Sequence, residues 1–195
     1  MNHNIVSLPT TLELNIDLTD EQFFILCQNN PELRFELTAT GQLIIMPPTG
    51  SETSDRNAEL TYQLRSWSRQ TQLGKSFDSS GGFKLPNGAE RSPDASWVKM
   101  ERWNALTQAE KERFAPLCPD FVVELVSPSD SIPKTQAKMR EYIDNGAKLG
   151  WLINRLQQQV EIYRSHQEVQ ILQNPLTLSG EDILPGFVLD LAEIW

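Results

Sequence analysis

The chain has 195 residues, 39% of them hydrophobic and 22% charged, with a formal net charge of −9. That length buries a core without staples, and two cysteines in unrelated contexts, Cys27 and Cys118, imply no disulfide framework and read as reduced thiols. No stretch approaches the ~20 apolar residues that span a bilayer, and the acidic balance gives no long-range attraction to phosphate.

The opening residues, MNHNIVSLPT, lack a basic flank followed by an apolar run. They read as a cytoplasmic protein without a signal peptide. Thr19-Asp-Glu-Gln22 has the form of a capping box, with Phe23, Phe24, Leu26 and Cys27 at helical spacing behind it. A helix is predicted from Asp20 to Gln28. Leu33 to Leu37 and Gln42 to Met46 form a β-hairpin across a turn at Ala39 to Gly41.

Leu60, Leu64 and Trp67 make one apolar stripe, which predicts a helix from Ser54 to Gln72 with Gly74 as its stop. Phe77 to Leu85 reads as one strand, bulged or closely approached at Gly81-Gly82, and Pro86-Asn-Gly88 as a turn. Asp94 to Val98 is a short strand, and a polar helical patch runs from Glu101 to Phe114. Phe121 to Val126 is the clearest buried strand. A loop at 127–130 leads to a helix from Thr135 to Asn145, closed by Gly146. Trp151–Ile153, Val160–Tyr163 and Val169–Leu172 are three further strands, the first two a hairpin, and the apolar tail Ile183–Leu189 docks on the body. The order predicts an α/β (α+β) fold, a mixed sheet with helices on it rather than a strict βαβ alternation.

Glu124 interrupts the apolar run Phe121 to Val126. Such runs belong to strands covered on both faces, where a lone carboxylate is costly unless paired or bound to a cation. By the period of two, Val122, Glu124 and Val126 share a face. Glu124 therefore sits at a strand end, pairs with a buried Arg or Lys, or binds a cation. Asp94, after Pro93, is either a turn or edge aspartate or the partner of Glu124 across adjacent strands. Strands lie about 4.8 Å apart, so two carboxylates on one face can converge on Mg²⁺ with oxygens at about 2.1 Å from it. Without a cation they would repel by about 4 kcal/mol at about 4 Å and an effective dielectric of about 20.

Lys138 lies on the next helix, on the side shared by Glu141, Tyr142 and Asn145. It is a solvated lysine or one that stabilises a phosphate and orients water. Glu59 flanks the apolar stripe, as an ordinary helix glutamate or a third acid. His3 and His166 are isolated, no Cys/His spacing fits zinc, and there is no glycine-rich phosphate loop. Ser127 has no base nearby in the sequence.

Several segments occur together in family order: Ser92-Pro-Asp-Ala-Ser-Trp-Val98, Pro119-Asp-Phe-Val-Val-Glu-Leu-Val-Ser-Pro-Ser129, Lys138-Met-Arg-Glu-Tyr142, Leu149-Gly-Trp-Leu-Ile153 and Leu184-Pro-Gly-Phe187. With Phe35-Glu-Leu37 and Gly41 to Gly50, they resemble the bacterial Uma-type restriction-endonuclease family, within the PD-(D/E)XK nuclease superfamily. The resemblance covers nearly the whole chain. It implies a single restriction-endonuclease-like domain over residues 1–195, with a helix-and-hairpin elaboration over 1–50 and the nuclease-like core over 51–195. It also implies Asp94 and Glu124 as Mg²⁺ ligands (Mn²⁺ as an alternative), Glu59 as the acid of the first core helix, DNA as substrate and a homodimer. The superfamily places a lysine two residues after the second acid; Val126 stands there, and the role maps to Lys138. Where relatives often carry a histidine after Gly50, this chain has Ser54-Asp-Arg-Asn57.

The expected function is a Mg²⁺-dependent DNA endonuclease, with metal-activated water attacking a phosphodiester. Arg65, Arg69, Lys84, Arg91 and Lys99 are candidate backbone contacts. The alternatives are a nuclease-like fold without turnover, serving as a binding or assembly module, and a phosphodiesterase acting on RNA or a small nucleotide.

Overall fold

The computed structural model describes residues 11–128 and 130–195. His3, the opening residues on which the leader reading rests, and Ser129 in the 127–130 loop fall outside them.

The chain builds two main sheets. The first begins with β1 (Leu12–Asn15), which pairs antiparallel with β3 (Gln42–Met46); β3 in turn forms the predicted hairpin with β2 (Arg34–Leu37). The hairpin turns at Gly41, whose φ of +80° is cheap only for glycine. Between β1 and β2 lies α1 (Asp20–Asn29), started by a true capping box: Gln22 N donates to Thr19 Oγ1 at 3.3 Å, and Thr19 N donates to Gln22 Oε1 at 2.9 Å. Phe23 of α1 packs with Phe35, Leu37 and Leu43 of the hairpin.

The helix α2 spans Ser51–Thr71, starting three residues before the predicted Ser54. Its stop differs as well. Gln72, at φ 56°, makes the left-handed C-cap, while Gly74 opens β4 (Gly74–Asp78). The glycine serves packing: a Cβ there would lie 2.3 Å from the Trp97 ring and from Val98 O.

The strand expected over Phe77 to Leu85 is two strands. The chain leaves β4 at Asp78, turns, and enters β5 (Phe83–Lys84), which joins β6 (Glu90–Arg91) in the first sheet. Ser80 N donates to Asp78 Oδ1 at 3.0 Å and closes the turn, and Gly82 lies where a Cβ would strike the Phe114 ring. Local apolar content looked continuous, but its two halves belong to different sheets. The first sheet is thus ordered β1-β3-β2-β6-β5.

The second sheet is the larger, ordered β11-β10-β9-β8-β7-β4. It contains β7 (Ala95–Lys99), β8 (Phe121–Leu125), β9 (Leu149–Asn154), β10 (Gln159–Arg164) and β11 (Gln170–Gln173). Among its described strands only β8 and β9 run parallel, linked by α5 (Ile132–Asp144). The predicted helical patch between β7 and β8 is two short helices, α3 (Met100–Asn104) and α4 (Gln108–Lys111), the second with its own capping box at Thr107.

Strand β8 divides the core as its period of two requires. Phe121, Val123 and Leu125 pack with Leu60, Leu64 and Trp67 of α2. Val122 and Val126 pack with Met139 and Tyr142 of α5. The apolar tail docks through Leu184, Phe187 and Leu189. It also forms a small hairpin sheet, β12 (Thr177–Ser179) with β13 (Val188–Asp190), which the sequence did not suggest. Among the described residues no helix is long and apolar enough to cross a membrane.

Candidate active site

Asp94 is the residue before β7, and Glu124 lies in β8. These strands pair Ala95 with Val123. One more step of that antiparallel register sets Asp94 level with Glu124. Asp94 Oδ2 accepts the Leu125 N–H at 2.9 Å, so the aspartate is locked to the strand that carries the glutamate. Asp94 Oδ1 accepts from Asn57 Nδ2 at 3.3 Å and faces Arg34 Nη1 at 3.6 Å. Both carboxylates are buried.

Glu124 is on the α5 face of the sheet, and α5 presents two partners one turn apart. Lys138 Nζ lies 2.9 Å from Glu124 Oε1, and the Tyr142 hydroxyl donates to the same oxygen at 3.0 Å. Glu124 Oε2 accepts no hydrogen bond among the described residues, and the residue lines an adjoining cleft of about 790 Å³.

Lys138 has a second anionic neighbour. Glu36 Oε1, on β2, lies 2.7 Å from its ammonium. Glu36 also accepts the Ser92 N–H at 3.2 Å and pairs with Arg91 at 3.1 Å. Arg91 donates through Nε to Glu141 on α5 at 2.6 Å. A buried chain of charges therefore runs from Glu124 through Lys138, Glu36 and Arg91 to Glu141. It ties the hairpin, the β6 segment and α5 to the acid pair.

The electrostatics follow from that crowding. Burial pushes the Glu124 carboxyl up to about 7; Lys138 opposes the shift, while Asp94 and Glu36 add to it. Burial also works against the charge on Lys138, but Glu124 and Glu36 outweigh it and hold its pKa above the ordinary value. Glu36 meets the same burial, which Lys138 and Arg91 overcome, so its pKa is lowered. Two carboxylates, Glu36 and Glu124, share one ammonium, Asp94 adds its repulsion, and Glu124 is the one left under-compensated.

That is the setting in which a divalent cation fits. The donors are hard oxygens, as Mg²⁺ prefers: Asp94 Oδ1, the free Glu124 Oε2, and Asn57 Oδ1, which is buried without a hydrogen-bond partner beside Asp94. Among the described residues no three or more His, Cys, Asp or Glu side chains converge as a cage. Mg²⁺ commonly takes one or two carboxylates and keeps several waters.

Of the four residues expected at the site, the structure gathers Asp94, Glu124 and Lys138. It does not bring in Glu59. Two residues along a helix rotate by about 200°, so with Asn57 facing Asp94, Glu59 points elsewhere. Its carboxylate accepts from Gln63 Nε2 at 2.9 Å, and Gln63 bonds the backbone of Asp190 in β13. Asn57 holds the place expected of that acid. Among the candidate phosphate contacts, Arg91 is consumed in the buried chain, Lys84 pairs with Asp20, and Lys99 sits 3.8 Å from Glu101. Arg65 and Arg69 remain exposed.

Glu36, Arg34, Asn57 and Tyr142 were missed as site residues. The signal for Glu36 was present: an acid between Phe35 and Leu37 is as anomalous as Glu124 between Val123 and Leu125.

The chain matches the Uma2 family, described as "Putative restriction endonuclease", over residues 20–192. A solved structure of a "putative nuclease" from Anabaena variabilis superposes with a TM-score of 0.73 at 20% identity, covering 91% of this chain and 97% of that one. At that identity the likeness establishes a shared fold. No curated protein matches.

Proposed function

The chain belongs to the Uma2 restriction-endonuclease family, and from that premise we propose that it is a Mg²⁺-dependent nuclease that hydrolyses DNA phosphodiesters at the Asp94–Glu124 cleft. The observation that carries this is the convergence of Asp94 and Glu124 with the Lys138 ammonium at 2.9 Å, on the wall of an open cleft.

In this reading Asp94, Glu124 and Asn57 would hold the ion, which when bound would supply Lewis-acid chemistry for phosphodiester hydrolysis. The ammonium of Lys138 stands beside Glu124, where it can donate to a phosphate oxygen or orient the attacking water. Glu36 and Glu124 both hold that ammonium charged, so its role is electrostatic and orienting. Tyr142 donates to Glu124 Oε1 and restrains the carboxylate. Arg34, half-exposed beside Asp94 and on the cleft wall, can take a phosphate oxygen.

The test is cleavage of supercoiled plasmid and of labelled linear DNA, single-stranded and duplex, with Mg²⁺ or Mn²⁺. Wild type should nick or linearise DNA, and Asp94→Ala/Glu124→Ala should fall to background. Equal activity in both proteins would overturn the reading.

One observation favours a second reading, a nuclease-like module without turnover. Lys138 and Arg34 already lie against the two acids, where protein cations compete with a metal ion. Titration calorimetry with Mn²⁺ separates the two: binding abolished by Asp94→Asn supports the enzyme, and no heat up to millimolar metal supports the module.

A further inference from the structure

A second groove, of about 730 Å³, runs along α2 beside the acid cleft. Thr49 lines both, and Asn57, which donates to Asp94, stands at the start of the second. From Asn57 the groove follows Thr61, Tyr62, Arg65 and Arg69. These positions recur at three- and four-residue steps on one helix face. Twelve residues at the helical rise carry the groove roughly 18 Å from the acids.

Its chemistry differs from that of the rest of the surface. Most of the arginines pair with a carboxylate. Arg65 and Arg69 pair with none among the described residues. Arg65 makes only a 3.5 Å contact to Ser76 O. One acid lines the groove, Asp78, and its Oδ1 is occupied by the N–H and hydroxyl of Ser80 at 3.0 and 2.5 Å. In a chain of net charge −9, two adjacent unpaired guanidiniums are a local exception that suits an anionic backbone. Tyr62 stands beside them, 66% exposed. An aromatic held in water on a cationic face is a stacking platform for an unpaired base; paired bases in a duplex already have their faces covered.

We propose that this face of α2 binds a single-stranded segment of nucleic acid, with Arg65 and Arg69 on its phosphates and Tyr62 under a base, and that the groove leads the strand to the Asp94–Glu124 cleft. The proposal rests on the nuclease reading of that cleft and adds the form of the substrate: a strand with unpaired bases next to the cleaved phosphate.

The experiment measures binding, so its result is separable from cleavage. Fluorescence anisotropy is recorded in Ca²⁺ or EDTA with a fluorescein-labelled 20-mer single strand, the matching duplex and an oligoglutamate peptide. Circular dichroism confirms that each variant folds, as expected for exposed side chains. Tyr62→Ala should weaken single-strand binding about tenfold or more and duplex binding less, with Tyr62→Phe close to wild type. Arg65→Ala/Arg69→Ala should lower the salt dependence on the single strand by about 1.4 in the log–log slope. Unchanged single-strand affinity in these variants, an equal Tyr62→Ala loss on duplex, or tighter binding of oligoglutamate than of DNA would each overturn the proposal. Cleavage by the same variants, and strand binding by Asp94→Ala/Glu124→Ala, show whether the groove or the nuclease reading has failed.

Discussion

Lys138 is the residue on which most of the buried charge depends. Its side chain is 17% exposed and touches two carboxylates. Removing one member of a buried ion pair strands its partners, at a cost of about 3–5 kcal/mol. Lys138→Met should therefore lower stability in urea unfolding by roughly that amount. Adding Glu36→Gln should recover part of the loss, since the neutral amide no longer needs a cation. A double-mutant cycle showing additivity would mean that the two side chains do not interact.

Glu90 offers a different residue-scale test. It is buried, its Oε2 has no hydrogen-bond partner, and burial followed by Asp20 pushes its pKa from 4.5 up to about 7, against Lys84 and Arg113. The unfolded chain releases this proton near pH 4.5 and the folded chain near 7. The folded state thus binds more protons between those values, and the contribution of Glu90 to stability falls as pH rises through that window and is flat above it. Allowing for solvent screening, the loss should be about 1–2 kcal/mol. Glu90→Gln should remove that decline relative to wild type and be the more stable protein at pH 8, as measured by Tm against pH.

Elements were legible where their signals were local. The capping box at Thr19 and the Leu60-Leu64-Trp67 stripe need only residues three or four apart. The hairpin needs only alternation and a glycine turn. Gly74 shows where that logic stops. A helix-stop glycine is needed for a left-handed backbone, but Gly74 opens β4, where the constraint is space: a Cβ would lie 2.3 Å from Trp97 and Val98 O. Gly74→Ala should cost about 1–3 kcal/mol through overpacking of the β4–β7 pair, read as a lower Tm with reduced near-ultraviolet tryptophan signal. A substitution without thermal effect would mean that the Trp97 contact does not constrain this position.

At the scale of the molecule, the helix-and-hairpin segment reaches the acid pair. Its β2 strand delivers Glu36 and Arg34 to the acid pair, and α1 is fastened to the body by the Lys84–Asp20 and Arg113–Glu21 ion pairs. All five tryptophans lie beyond it, from Trp67 to Trp195. Urea unfolding should consequently give coincident transitions by tryptophan fluorescence and by far-ultraviolet circular dichroism. An earlier dichroism transition would mean that the segment unfolds by itself.

The sequence by itself determined the sheet-and-helix class, the strand that carries Glu124, the helix that carries Lys138 and the family. Each of these is written in short-range periodicity or in a motif read along the chain. Tertiary structure alone decided that Glu36 meets Lys138, that Asn57 rather than Glu59 faces Asp94, and that residues 77–85 divide between two sheets. Those outcomes depend on contacts between segments far apart in the chain, where register and helix rotation set which side chain arrives. A two-residue difference on α2 turns a side chain by about 200°, which separates a residue that bonds Asp94 from one that bonds Gln63.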